Sequence, residues 1–276
     1  MKTALITGAT SGIGRATARV LAKNNYKIVL CGRREDRILE LQKELSEVTQ
    51  VHTLLFDVRD KKAVFDSIAS LPESFSSIDV LINNAGMGIS GTIEDTSSED
   101  AAYLFNVNFM GVFNSTKAVL PFMRESGGGK IINVSSVAAR LSIPFQAFYS
   151  SSKAAINSFS EALANEVAPF NIQVCAMMPG DIKTGFTKNR KKNETDSPEY
   201  QGRVDLSVNV MENDERNGMD PESAAKVVAR LVRIRKMPLY KTIGLKYKLI
   251  VLLAKILPAK LANTIVGSIY AFKKGK

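Results

Sequence analysis

Apolar positions recur along this chain in two rhythms. Short runs with little polar alternation, at Thr3–Thr7, Tyr26–Cys31, His52–Phe56, Val80–Asn83, Lys130–Val134 and Ile172–Met177, read as strands. Between them Gly12–Lys23, Arg34–Glu47, Lys61–Leu71, Ser98–Arg124 and Tyr149–Val167 carry apolar residues at three- and four-residue spacing, the period of an amphipathic helix. Strand and helix alternate, which predicts right-handed βαβ units, an α/β fold and a doubly wound parallel sheet with helices on both faces. Runs such as Val80-Leu81-Ile82 and Lys130-Ile131-Ile132 fit that architecture, because a strand covered on both faces has no polar side.

Two stretches break the rhythm. Gly185 to Gly218 is polar and charge-dense, including Lys188 to Glu194, and is read as a long loop over a binding site. A helix restarts at Asp220-Pro221-Glu222, with Asp as N-cap and Pro in the first turn. Residues 1–237 are expected to form one domain. Residues 238–276 then make a basic, apolar C-terminal helical extension, with a short strand near Leu239–Ile243 and apolar runs at Leu249–Ala254 and Leu261–Phe272.

With 276 residues and 45% apolar content, the chain can bury a substantial core, and 18 Gly and 9 Pro exclude collagen-like or low-complexity readings. Cys31 and Cys175 cannot make a disulfide framework. With one histidine, His52, they also make no metal site, and none is expected. His52 lies within a strand-like run and is read as structural, which leaves a Ser-His-Asp hydrolase without its base. The opening residues show no signal-peptide pattern, so the expected compartment is cytoplasmic. The net charge of +10 suggests nucleic acid until it is mapped: from Ser223 onward there are thirteen Lys/Arg and no Asp or Glu. The remainder is close to neutral, and no nucleic-acid partner is expected.

Leu5-Ile6-Thr7-Gly8-Ala9-Thr10-Ser11-Gly12-Ile13-Gly14 leaves a strand and opens a helix. Glycines there permit a tight turn, let backbone N–H groups approach a pyrophosphate, and set it at the positive end of the helix. The surroundings are those of a Rossmann-type nucleotide site. About twenty residues on, where a carboxylate would bind an unphosphorylated ribose, the chain has Cys31-Gly32-Arg33-Arg34. Guanidinium groups favour a 2′-phosphate, so these residues point to NADP(H), with Arg15 as a further cation. The competing reading has Arg33 and Arg34 paired with Glu35 and Asp36 on a helix surface.

Tyr149 and Lys153 stand one helical turn apart. An ammonium near a phenol favours the phenolate and suits the pair to general acid/base work. Thr7-Gly8-x-x-x-Gly12-Ile13-Gly14, Asp57, Asn83-Asn84-Ala85-Gly86, Asn108, Ser136, Tyr149-x-x-x-Lys153, and Pro179-Gly180 with Thr184 occur in that order. Through them the chain resembles the short-chain dehydrogenase/reductase family over roughly Lys2 to Thr184.

The resemblance implies an NADP(H)-dependent oxidoreductase that moves hydride between nicotinamide and a carbonyl or alcohol. Tyr149 would be the acid/base and Ser136 would hydrogen-bond the substrate oxygen, with Ser135 as the competing hydroxyl. Lys153 would lower the Tyr149 pKa and bind the nicotinamide ribose. Asn108 would hold a water linking Lys153 to solvent, against a purely structural alternative. Asp57 and Val58 would meet adenine, while Asn84, Ala85 and Gly86 would support the glycine loop. Thr10, Ser11, Pro179, Gly180, Ile182 and Thr184 complete the implied cofactor site. A small-molecule substrate and a homo-oligomer, dimer or tetramer, are also implied.

Substrate contacts are expected from Ala138–Phe148, where Leu141, Ile143, Phe145 and Phe148 suggest an apolar or lipid-like molecule, and from the 185–218 loop. An alternative from another class is a redox sensor that holds NADP without turnover; Tyr149 and Lys153 speak against it. The family's Asp-Gly-Gly-like turn near the C-terminus is missing, so tetramer contacts built there are not carried over. Three readings fit the tail: a helix folded back over the substrate pocket or a partner subunit, which is favoured, a membrane-peripheral helix within 240–276, and a docking surface for an acidic acyl carrier.

Overall fold

A computed structural model describes residues 1–193 and 197–271. Residues 194–196, within the expected loop and including Glu194, and 272–276, including Phe272 at the end of the second apolar run, lie outside the described residues. The first half contains β1 (Lys2–Thr7), α1 (Gly12–Lys23), β2 (Tyr26–Gly32), α2 (Glu35–Ser46), β3 (Val51–Leu55), α3 (Lys61–Ala69), a short α4 (Glu73–Ser76) and β4 (Ile78–Asn83). A two-residue β5 (Ile89–Ser90) precedes α5 (Ser98–Phe105), which passes through a π turn (Asn106–Met110) into α6 (Gly111–Glu125). There follow β6 (Gly129–Val134), α7 (Ala147–Val167), β7 (Ile172–Pro179), β8 (Lys191–Lys192), α8 (Arg203–Arg216), α9 (Pro221–Arg233), β9 (Tyr240–Ile243), α10 (Leu245–Ile256) and α11 (Ala259–Tyr270).

Seven strands pair in parallel in the order β3-β2-β1-β4-β6-β7-β9. Alternate residues of each strand serve opposite layers. Ala4, Ile6, Ile28, Leu30, Ile82 and Met177 pack under α1, α2 and α9 through Leu21, Leu41 and Val228. Leu5, Val29, Leu81, Ile131 and Val174 pack under α3, α6 and α7 through Ile68, Val119 and Leu163. That division explains the unbroken apolar runs of the sequence. Between β1 and β4 the strand order reverses, and a crevice beyond the carboxyl ends of the strands is the usual result.

Two expectations change in detail. The predicted helix Ser98–Arg124 is continuous but contains the π turn, which turns Asn108 inward to bond the Met87 backbone and Ser152. The expected loop Gly185–Gly218 is largely folded. Its β8 pairs with β5, and in α8 Val204, Val208 and Met211 form a narrow buried stripe against Ile143, Phe145, Tyr200 and Tyr270. Charged residues on the other faces of α8 hide this stripe in the sequence. Asp220 caps α9 as expected, its carboxylate accepting from the Glu222 N–H at 2.7 Å.

Candidate active site

A cleft of about 540 Å³ runs across the carboxyl ends of the central strands. Of the residues expected at the cofactor, Gly8, Thr10, Ser11, Gly12, Ile13, Arg33, Arg34, Asp57, Val58, Asn84, Ala85, Gly86, Tyr149, Lys153, Pro179, Gly180, Ile182 and Thr184 all line it. Gly14 and Arg15 do not.

The floor begins at the turn after β1. Gly8 has φ +63°, and a Cβ there would lie 2.8 Å from the Ala85 Cα. A side chain on Gly14 would strike the Gly8 carbonyl and come within 2.5 Å of the Asn84 amide nitrogen. Asn84 locks the arrangement by donating to the carbonyls of Thr7 and Gly8 at 3.2 and 3.0 Å. Thr7 in turn accepts from the Asn84 and Ala85 N–H groups at 3.0 and 3.2 Å. Ser11 makes no side-chain cap on α1, and the first turn holds no acid, so the helix presents a positive N-terminus to the cleft. An uncapped helix end beside backbone left bare by glycines fits a pyrophosphate.

At the far end of this floor Arg34 donates to the Thr10 hydroxyl at 2.9 Å, while Arg33 stays largely exposed and lies 3.4 Å from Asp57. Arg59 is a third cation that sequence reading missed. It chelates the Asp57 carboxylate and covers the Tyr103 ring at 4.1 Å. Burial alone would raise the Asp57 carboxyl, but the hydrogen bonds and charge of Arg59, with Arg33 beyond, bring it below its ordinary range. Arg15 turns away to α2, where Glu40 and Glu44 bind it at 2.6 and 3.5 Å. Those carboxylates, 25 and 29 residues distant in sequence, account for its departure from the expected site.

Tyr149, Lys153 and Ser136, the groups expected to be catalytic, gather at the other end. Burial pushes the Tyr149 phenol up to about 12, opposed by a hydrogen bond with Ser136. Lys153 is 5% exposed, and burial lowers its ammonium to about 8. Its Nζ donates to the Val134 carbonyl at 2.8 Å and lies 5.7 Å from the centre of the Tyr149 ring. Desolvation of the phenol therefore sets the direction, and Ser136 and Arg190, rather than Lys153, are the groups that oppose it. Ser135 donates to the Lys153 carbonyl at 3.1 Å, which leaves Ser136 as the hydroxyl facing Tyr149.

Asn108 lies behind this group. Its side-chain oxygen accepts from the Met87 N–H at 2.8 Å, and its amide donates to the Met87 carbonyl and the Ser152 hydroxyl, both at 3.0 Å. The side chain thus pins the loop after β4 beside Gly86. In the outer wall Ile143 lines the cleft as expected, but Leu141, Phe145 and Phe148 are not among its lining residues. Phe145, at φ +61°, faces the α8 cluster and packs edge-on against Tyr200. Other residues of the expected stretches take their places: Phe186, tilted 5.6 Å from Tyr149, with Met211 and Glu215 from 185–218, Gln146 from 138–148, and Tyr270 from the C-terminal extension. Glu215 binds the fully buried guanidinium of Arg190 and accepts from the Thr187 hydroxyl at 2.5 Å. Asp181 accepts from the Tyr247 hydroxyl of α10, and the ring of Tyr247 covers Gly180. Among the described residues no group of three or more His, Cys, Asp or Glu could hold a metal ion.

Residues 2–195 match the family model of short chain dehydrogenases. The chain belongs to the short-chain dehydrogenase/reductase family. It is an oxidoreductase of that type, built on the nicotinamide-cofactor fold. It is similar to a 3-ketodihydrosphingosine reductase of Bacteroides thetaiotaomicron, 40% identical over 240 residues that cover 86% of each chain. Two solved structures bracket the nucleotide. A serine dehydrogenase complexed with NADP+ superposes with a TM-score of 0.76 at 28% identity, over 87% of this chain and 94% of the other. A family member from Burkholderia phymatum in complex with NAD gives 0.82 at 25%, over 100% and 98%.

Proposed function

We propose that this enzyme is an NADP(H)-dependent reductase of apolar, lipid-like ketones or aldehydes, with Tyr149 as its proton donor. The observation that carries the chemistry is the convergence of the Tyr149 phenol, the Ser136 hydroxyl and the Lys153 ammonium at one end of a cleft that can hold a dinucleotide. Bound cofactor supplies hydride to the carbonyl carbon. Ser136 holds the substrate oxygen, and the neutral Tyr149 delivers its proton there as negative charge develops. A phenol raised to about 12 is fully protonated at neutral pH, the state that reduction requires. Lys153, in reach of the same ring, then stabilises the phenolate left behind and would hold the ribose. Thr10, Ser11, Gly12 and Ile13 would carry the pyrophosphate at the head of α1, and Asp57 and Val58 the adenine. Thr184, Ile182, Pro179 and Gly180 would meet the carboxamide.

Two arginines where a carboxylate would select NAD(H) support the phosphorylated cofactor. Ile143, Phe186, Met211 and Tyr270 at the cleft wall support an apolar substrate, as does similarity to a 3-ketodihydrosphingosine reductase. The discriminating experiment measures kcat/KM for NADPH and NADH on a panel of ketones of graded chain length. NADPH should be preferred, rates should rise with chain length, and Arg33→Asp should shift the preference toward NADH by one to two orders of magnitude, roughly one charge-assisted hydrogen bond. An unchanged NADPH/NADH ratio in Arg33→Asp would show that another group reads the phosphate.

A further inference from the structure

The last two helices have an inner and an outer face of different character. Inward, Val251, Val266 and Gly267 are buried, Tyr247 lies on Gly180, and Tyr270 lines the cleft. Both helices thus turn one face onto the domain. The outward faces are also apolar. On α10, Leu245, Leu249, Leu252, Leu253 and Ile256 follow helical spacing and are 82%, 58%, 54%, 45% and 72% exposed. On α11, Leu261, Ile265 and Ile269 recur every fourth residue, all more than two-fifths exposed. Stripes of large aliphatic side chains with that regularity are unlike scattered surface hydrophobics.

Charge indicates the occupant. Lys246, Lys248, Lys255 and Lys260 are exposed on the same two helices, and residues 223–271 contain no Asp or Glu. Among the described residues no helix is long and apolar enough to cross a bilayer. Exposed aliphatic stripes flanked by lysine and free of acid match a surface that presents hydrocarbon beneath negative headgroups. We infer that α10 and α11 lie on an anionic lipid bilayer, with the aliphatic stripes inserted at its interface and the lysines against its headgroups. The same helices carry Tyr247 and Tyr270 into the cleft, so docking would set the substrate wall beside the membrane. A second copy of the chain could cover aliphatic side chains but would bring like charge onto the lysines.

Flotation of the full chain with phosphatidylcholine vesicles, with and without phosphatidylglycerol, tests the inference. Binding should require phosphatidylglycerol and weaken with added salt. Replacing the four lysines by Gln should reduce it about fivefold per lysine. Leu249→Glu and Ile256→Glu should each cost on the order of tenfold, the loss expected for an inserted aliphatic side chain. Melting temperature and turnover of a short water-soluble ketone, unchanged in these variants, would establish that the fold and the hydride reaction persist. No binding by the native chain, or binding indifferent to both sets of substitutions, would overturn the inference. So would self-association abolished by Leu249→Glu in a chain that ignores vesicles, which would assign the face to a second copy.

Discussion

The cost of burying Lys153 can be measured directly. An ammonium held at about 8 in the folded protein has an ordinary value of 10.5. Between those values the unfolded chain binds the proton and the native chain releases it, so stability rises with pH across the window. The full penalty, about 3 kcal/mol, applies below the native value, and most of it is recovered between roughly pH 7 and pH 10. Lys153→Met keeps the length of the stem and removes the titration. Urea unfolding of both proteins across that range, followed by circular dichroism, gives the difference in stability at each pH. Every other titrating group cancels, as does the lost hydrogen bond to the Val134 carbonyl. Wild type should gain about 2 to 3 kcal/mol on the variant as pH rises. A difference that stays flat, or that slopes the other way, would refute the assignment of Lys153 as a desolvated ammonium.

Two further perturbations probe the cleft. Gly14→Ala places a methyl against the Gly8 carbonyl and the Asn84 amide, so isothermal titration should show nucleotide affinity falling at least tenfold, the cost of displacing a close-packed turn. Native affinity in that variant would show that the turn yields freely. Glu215→Gln leaves the Arg190 guanidinium, 0% exposed, without its counter-charge, and should cost about 3 to 5 kcal/mol in urea unfolding. The double replacement Arg190→Met with Glu215→Leu should recover most of that loss. Equal destabilisation by single and double changes would mean that the pair acts through packing.

What the sequence reveals of this enzyme follows how local each signal is. The strands announce themselves because both faces are buried, leaving uninterrupted runs such as Val80-Leu81-Ile82. The glycine turn and the Tyr149/Lys153 pair are also local, each held within a few residues of one helix start. Features assembled over distance were hidden. The departure of Arg15 depends on two glutamates of the next helix. The apolar stripe of α8 is three residues among many charged ones, which is why residues 203–216 pass for loop. Glu215, Asp181 and Tyr270 reach the cleft only through tertiary packing, and no spacing rule places them there. Phe145 looked like pocket wall, but its left-handed backbone carries it to the α8 cluster. The π turn at Asn106–Met110 left a weaker trace: two asparagines in a helix, of which the buried one proves to be the loop anchor.

The central claim is that the Tyr149 phenol supplies the proton as hydride reaches a carbonyl carbon. Single-turnover reduction of a long-chain ketone by NADPH carrying deuterium at the transferring position tests it most directly, with Tyr149→Phe beside wild type. Wild type should place the label on the new carbinol carbon, and Tyr149→Phe should bind NADPH with native affinity yet slow the step by about 10² to 10⁴, the range for loss of a general acid. Label transfer at the native rate in Tyr149→Phe would contradict the account.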